Sequence, residues 1–345
     1  MKTTHTVLFK DARSMDNIQD ENVDLIVTSP PYPMIQMWDE MFSRQNPKIG
    51  EALSQQKGEL AFELIHKELD KVWSEVYRVL KPGGIACINI GDATRTLDSS
   101  FRIYPNHARI LNSFLSLGFH ALPSILWVKE TNKPDKFMGS GMLPVGAYVT
   151  LEHEHILILR KGHKREFKKS EEKLNRQKSA FFWEERNLWF SDKWKDINGL
   201  SQKIGDEKLR ERSAAYPFEL AYRLINMFSV QGDTVLDPFL GTGTTTVASI
   251  ASSRNSFGIE IDPNFGDKVR ERIVNAAPLC HLYNDARIRR HKEFVEQRQK
   301  ESKELKYINE QYQFPVMTRQ ELGLKFPSLA SIQERENNLF EAEYN

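Results

Sequence analysis

Short apolar runs rich in β-branched residues alternate with longer runs of helical spacing along most of this 345-residue chain. Elements in that order bury both kinds of apolar face as a mainly parallel sheet with crossover helices packed on its faces. Strands are expected at 5–11 (HTVLFKD), 23–28 (VDLIVT), 84–90 (GIACINI), 121–129 (ALPSILWVK), 152–162 (EHEHILILRKG), 233–239 (DTVLDPF) and 256–262 (SFGIEID). Between the second and third, Leu64, Ile65, Leu69, Val72, Trp73, Val76, Val79 and Leu80 share one helical stripe. That helix stops at Lys81-Pro82-Gly83-Gly84. Further helices are expected at 106–117, 217–228, 244–252 and 267–276.

The alternation breaks after Gly162. Residues 160–178, RKGHKREFKKSEEKLNRQK, are strongly basic, and Phe181, Phe182, Trp183, Trp189, Phe190 and Trp194 follow. A small insertion is therefore expected over 163–211, between the two halves, 1–162 and 212–284, of one α/β unit. Residues 285–345 read as a charged helix and a polar tail. The tryptophans fit the core of the insertion better than a set of base contacts. Net charge is +1, so distribution matters more than the sum, and Lys164, Arg165, Lys168 and Lys169 are the candidates for contact with phosphates. No run approaches the roughly 20 apolar residues of a membrane span. The start, MKTTHTVLFKDAR, has no apolar signal core. Two cysteines, Cys87 and Cys280, make no disulfide framework, and a cytoplasmic, reducing setting away from membranes is expected.

Two stretches carry chemistry. The first, VTSPPYPM at 27–34, ends the second strand. Pro30 and Pro31 cannot donate to a ladder, and Ser29 is pushed to extended geometry by the proline after it. A turn that only reversed the chain would use Gly, Asn or Asp. This corner displays a hydroxyl on Ser29, carbonyls without N–H neighbours, and the Tyr32 ring. The second, LDPFLGTGTT at 236–245, runs a strand straight into a glycine-rich loop and a helix. Gly241 and Gly243 allow a sharp turn and bring a ligand close to main-chain N–H groups. The loop lacks the third glycine of a dinucleotide fingerprint and the lysine of a P-loop. About twenty residues on, Glu260 ends the next strand, where an acid is placed to bind ribose hydroxyls. The combination suits a nucleoside without a polyphosphate.

Residues 28–32, TSPPY, together with 237–243, DPFLGTG, resemble the exocyclic-amino DNA methyltransferases of restriction–modification systems. The order, catalytic motif first and cofactor motif last, is similar to that of their β class, over most of residues 5–280. The resemblance implies the S-adenosylmethionine-dependent methyltransferase fold, a Rossmann-like α/β fold with a seven-stranded, mostly parallel sheet. In it the two motifs meet in one crevice at the switch point. It implies S-adenosyl-L-methionine as cofactor, held by Asp237, Pro238, Phe239, Gly241, Gly243, Thr244, Glu260 and Asp262, with Asp11 near the adenine. Tyr216, within RSAAYPF at 212–218, would pack near the methionine end. The insertion takes the place of a target-recognition region. The implied partners are double-stranded DNA and, genetically, a cognate restriction endonuclease; both monomers and homodimers occur in the class.

That chemistry accounts for the corner. An exocyclic amine is a poor nucleophile because its lone pair is delocalised into the ring. Acceptors aimed at its hydrogens, the Ser29 side chain and the Pro30 carbonyl, pull the nitrogen toward a tetrahedral shape. The catalytic set is thus Ser29, Pro30, Pro31 and Tyr32, with Tyr32 stacking on a flipped-out base, worth roughly 1–3 kcal/mol. Methyl transfer is then mainly a positioning problem. Cys87 lies mid-strand and Cys280 beside a strand, so a cysteine nucleophile for ring-carbon methylation is not expected. In the family, Ser-Pro-Pro-Tyr goes mostly with cytosine N4 and Asp-Pro-Pro-Tyr with adenine N6. Cytosine-N4 methylation protecting DNA from a restriction enzyme is therefore expected, with adenine N6, an RNA base, or a non-catalytic DNA-binding regulator as alternatives.

Trp38 and Met37, just after the corner, either line the target pocket or simply pack. Residues 33–58 and 129–147 are long for connections and are expected to order over DNA. His153 and His155 share a strand face, but no third ligand is evident and the chemistry needs no metal, so none is expected.

Overall fold

The computed structural model describes residues 1–129, 138–197, 216–301 and 305–345. The first part of the 129–147 segment, the end of the insertion and the first residues of RSAAYPF lie outside the described residues. Ten strands form one sheet: β1 (Lys2–Phe9), β2 (Val23–Thr28), β3 (Leu80–Ile90), β4 (Phe119–Val128), β5 (His153–Lys161), β6 (Lys193–Trp194), β7 (Thr234–Asp237), β8 (Asn255–Glu260), β9 (Leu329–Glu334) and β10 (Leu339–Tyr344). Their order is β6-β4-β5-β3-β2-β7-β8-β1-β10-β9. The central run from β3 to β1 is parallel. Strand β5 is antiparallel to both neighbours, as is β10.

The α/β class and all seven expected strands are present, but the sheet has ten strands rather than seven. The additions are β6 and the β9–β10 hairpin. The final stretch is thus not a polar tail. In LFEAEY of β10, Phe340, Ala342 and Tyr344 alternate inward, and the two glutamates between them hide the pattern from a composition count. The strand pairs with β1, where Thr3, His5 and Val7 point inward in the same rhythm. His5 is held between Thr3 Oγ1 and Ser256 Oγ, each at 2.9 Å, and burial pushes its pKa down to about 3, so it stays neutral.

VDLIVT of β2 is buried along its whole length, as a central parallel strand with both faces covered must be. Its side chains feed two cores. Leu25 and Val27 join one face with the helix Phe218–Phe228 and the helix Thr244–Ala251. Val23 and Ile26 join the other with the helices Gly58–Val79 and Asn106–Ser116. Residues 33–58 are also built rather than loose. They form the helices Asp39–Gln45 and Pro47–Ser54, bury Phe42, Ile49 and Ala52, and are tied by a two-pronged Arg95–Asp39 pair at 2.9 and 2.7 Å. Among the described residues no helix is long and apolar enough to cross a membrane.

The helix Ala277–Lys300 contains Cys280, which is buried in the core that Leu329, Phe340 and Tyr344 of the β9–β10 hairpin share. The same helix carries His291 into a small aromatic core with Phe182 and Phe314. Its Nδ1 meets Glu184 at 2.8 Å and its Nε2 meets the Pro315 carbonyl at 2.9 Å. Burial works against the imidazolium, but the Glu184 hydrogen bond and charge, with the Pro315 carbonyl, overrule it and raise the pKa above 6.5. A raised folded-state pKa stabilises fully below the unfolded value of 6.5 and ceases to as pH rises through the folded value. Melting temperatures of wild type and His291→Gln should therefore differ most below pH 6.5 and converge at alkaline pH. A difference independent of pH would mean that His291 is neutral in the fold.

Candidate active site

The carboxyl ends of β1, β2, β7 and β8 open into one cleft of about 610 Å³. Of the residues singled out from sequence, Asp11, Ser29, Pro30, Pro31, Met37, Trp38, Tyr216, Pro238, Phe239, Gly241, Thr244, Glu260 and Asp262 line it. Tyr32, Asp237 and Gly243 do not; they build what stands behind it.

Asp237 is 2% exposed and accepts four hydrogen bonds: from Thr28 Oγ1 (2.5 Å), Thr245 Oγ1 (2.6 Å), the Phe239 N–H (3.0 Å) and the Tyr216 hydroxyl (3.1 Å). Burial lifts its pKa, and those donors only partly offset the rise. The Thr28 bond joins two motifs 209 residues apart in sequence. Asp237 is thus the tie between the Ser-Pro-Pro-Tyr corner and the glycine loop. Gly243 sits at φ +84° as the N-cap of the helix Thr244–Ala251, and a Cβ there would meet Val269 at 3.3 Å.

Glu260 holds the loop from the other side. One oxygen accepts the Gly241 N–H at 2.7 Å and the other the Asp262 N–H at 2.9 Å. Asp262 in turn caps the turn that follows, accepting from Asn264 at 3.0 Å. Burial raises the Glu260 pKa above the usual carboxylate value. On the neighbouring strand end, where Lys10 N–H donates to the Glu260 carbonyl at 2.9 Å, Asp11 pairs with Arg13 at 2.7 and 2.9 Å. Burial opposes the Asp11 anion, but Arg13 outweighs it and holds the pKa below normal. Arg13 also reaches Glu68 at 2.6 Å, which anchors the helix Gly58–Val79 to this wall.

The corner shows why Tyr32 is off the cleft wall. Its hydroxyl donates to Glu154 Oε2 at 2.8 Å and receives the Asn89 amide at 2.9 Å and the Ser29 hydroxyl at 3.1 Å. Lys129 pairs with the other Glu154 oxygen. Burial and the Glu154 charge lift the Tyr32 pKa well above 10, so the phenol keeps its proton. Asn89, Lys129 and Glu154 were not singled out from sequence, and Thr28 was noted only as the first residue of TSPPY. Glu154 had a signal, a carboxylate at the polar head of an apolar strand run, but the histidines flanking it drew the metal question instead. His155 does acquire neighbours: His107 stacks on it at 3.9 Å and 13°, and Asp92 bonds His107 at 2.8 Å. Rings stacked so nearly parallel cannot both aim an in-plane nitrogen at one ion.

The basic run falls elsewhere. It leaves β5 at the end where β2 and β7 begin, and Arg165 is locked to Asp233 at 2.7 Å and Asp24 at 3.5 Å, residues at the amino ends of those strands. Lys164, Arg165, Lys168 and Lys169, expected to contact DNA phosphates, thus stand at the far end of the sheet from the cleft. The residues closing β4 and opening β5, with Trp194 and Tyr216, do lie at the cleft end. Replacing Lys164, Lys168 and Lys169 with alanine should leave duplex affinity and its salt dependence unchanged in a binding titration; a slope lowered by about one per lysine removed would instead place them on DNA phosphates.

Residues 23–271 match the N6/N4 DNA methylase family. The chain belongs to that family. This methylase is 51% identical to the Type II methyltransferase M.MthZI of Methanothermobacter thermautotrophicus over all of this chain and 96% of the relative. It is 50% identical to the Type II methyltransferase M.MjaI of Methanocaldococcus jannaschii, over 79% of this chain and 91% of that one. Among solved structures, TTHA0409 of Thermus thermophilus in complex with S-adenosyl-L-methionine superposes with a TM-score of 0.62 at 32% identity, covering 79% of this chain and 96% of its own.

Proposed function

We propose that this methylase moves a methyl group from S-adenosyl-L-methionine to the exocyclic N4 of a cytosine flipped out of duplex DNA, as the protective half of a restriction–modification system. The observation that carries it is the shared cleft: Ser29 and Pro30 line the same wall system as the glycine loop and Glu260.

The residues present fit the cofactor. The cleft volume, about 610 Å³, is of the size that small ligands occupy. Glu260, a buried carboxylate, faces a site for ribose hydroxyls, Gly241 and its neighbours offer close backbone approach, and Asp11 with Arg13 forms a polar wall for an adenine. When bound, the cofactor supplies an activated methyl on a sulfonium. Tyr216, at the loop's other flank, supports the methionine end. The Ser29 hydroxyl and Pro30 carbonyl accept the amine's hydrogens and localise its lone pair. The proton leaves to solvent, and no covalent enzyme intermediate is needed: Cys87 and Cys280 are buried, and burial raises both thiols' pKa values, Cys280 to about 12. Serine in the first motif position supports cytosine N4 over adenine N6.

The test is product analysis. Incubated with mixed-sequence unmethylated duplex and cofactor, then digested to nucleosides, the DNA should yield N4-methylcytosine by mass spectrometry. N6-methyladenine would overturn the base assignment while leaving cofactor and fold in place. Absence of any methylated nucleoside would overturn DNA methylation itself.

A further inference from the structure

From Met138 to Leu151 the sequence MGSGMLPVGAYVTL carries no charged side chain, in a chain that is 28% charged. The two-residue strands Met138–Gly139 and Ala147–Tyr148 pair as a hairpin, with Ser140 N–H closing on the Gly146 carbonyl at 2.9 Å. Its tip is Met142-Leu143-Pro144-Val145. Val145 is 99% exposed, Met142 86%, Val149 85% and Leu143 69%; no other large hydrophobic among the described residues is as exposed. Three apolar side chains left in water on one tip, with Val149 exposed just past the paired strands, mark a contact surface.

Its place says what kind. The segment springs from the cleft end of β4 and returns into β5. At its root Lys129 pairs with Glu154, the carboxylate that holds the Tyr32 hydroxyl. Tyr148 stacks on Phe101 at 4.5 Å and 18°, and so props the hairpin against the 93–104 hairpin beside the same end of the sheet. An uncharged tip is poorly suited to tracking phosphates. Methionine, leucine and proline side chains are the type that proteins insert between base steps. A base drawn toward Ser29 leaves a gap in the stack, and something apolar must fill it or the base falls back.

We propose that the 142–145 tip is a wedge that enters the duplex beside the target and holds open the space the flipped base vacates. The inference rests on the DNA-methylation function proposed above, and deepens it. Leu143→Ser with Val145→Ser changes only exposed side chains, so melting temperature and cofactor affinity stay as in wild type. On a duplex carrying the site mapped from methylated product, the double variant should methylate about tenfold or more slowly. On the same duplex with the target base opposite an abasic position, where no pairing has to be broken, it should return to within about threefold of wild type. Equal rates on the paired duplex would overturn the wedge. So would an equal loss on both substrates, which would make the tip an ordinary DNA contact. A lower sedimentation mass for the variant would also overturn it, by making the tip a contact between two copies of the chain. Wild type that methylates neither duplex would instead remove the function on which the wedge depends.

Discussion

Tyr32→Ala is expected to slow methyl transfer to duplex DNA by about 10- to 100-fold while leaving the cofactor dissociation constant within about twofold. The two effects separate because Tyr32 does not line the cofactor cleft, yet it shares a corner and a hydrogen bond with Ser29. In the proposed function the ring is the platform for the base, and alanine removes it. The substitution also leaves Asn89 and Glu154 with one partner fewer in a half-buried network, which loosens the Ser29 hydroxyl. Tyr32→Phe keeps the ring and should fall between wild type and alanine. Asp237→Ala has the opposite profile. It frees Thr28, Thr245 and Tyr216 at once and unseats the glycine loop, so cofactor affinity drops first. Single-turnover rates and calorimetric cofactor titrations on both variants decide the matter; the reverse pattern would show the roles to be misassigned.

Arg287→Ala should destabilise the fold by about 3–5 kcal/mol, the usual cost of stripping one partner from a buried ion pair. The Arg287 side chain is 3% exposed and grips Glu185, 9% exposed, with two bonds of 2.6 Å. Its third donor reaches the Tyr222 hydroxyl at 3.2 Å, and its plane lies 4.1 Å from the Phe326 ring. One side chain thus clamps the helix Ala277–Lys300 to the helix Trp183–Trp189 and the helix Phe218–Phe228. Removal leaves an uncompensated carboxylate in an aromatic interior. Replacing both partners, Arg287→Met with Glu185→Leu, should recover most of the loss. Urea unfolding at pH 7 measures both; a single-variant loss under about 1 kcal/mol would mean that water reaches Glu185.

The central sheet was legible because each of its strands is locally apolar and bounded by turn residues. VDLIVT needs no partner to be recognised as a buried strand. The β10 strand does: its three inward residues sit between glutamates, and only pairing with β1 makes their alternation meaningful. The helices of 39–54 were missed for a related reason. Each is under nine residues, too short to show a period, and Phe42 and Ile49 become core residues only against the helix Gly58–Val79. The basic run illustrates the converse, since its charge density was visible in the sequence but its place at the far end of the sheet was not.

Sequence alone determined the chemistry on offer: a stiff Ser29–Tyr32 corner, a glycine loop and Glu260 are short-range features whose geometry follows from backbone constraints on proline and glycine. Tertiary structure alone decided which groups share a surface. It turned Asp237 inward as the tie between motifs, brought Asn89 and Glu154 to Tyr32, carried Lys164–Lys169 to the far end of the sheet, and rooted an uncharged, exposed tip at the cleft end of the sheet. Strand order and direction set those distances, and they arise from which faces can be buried together, a property no single segment holds.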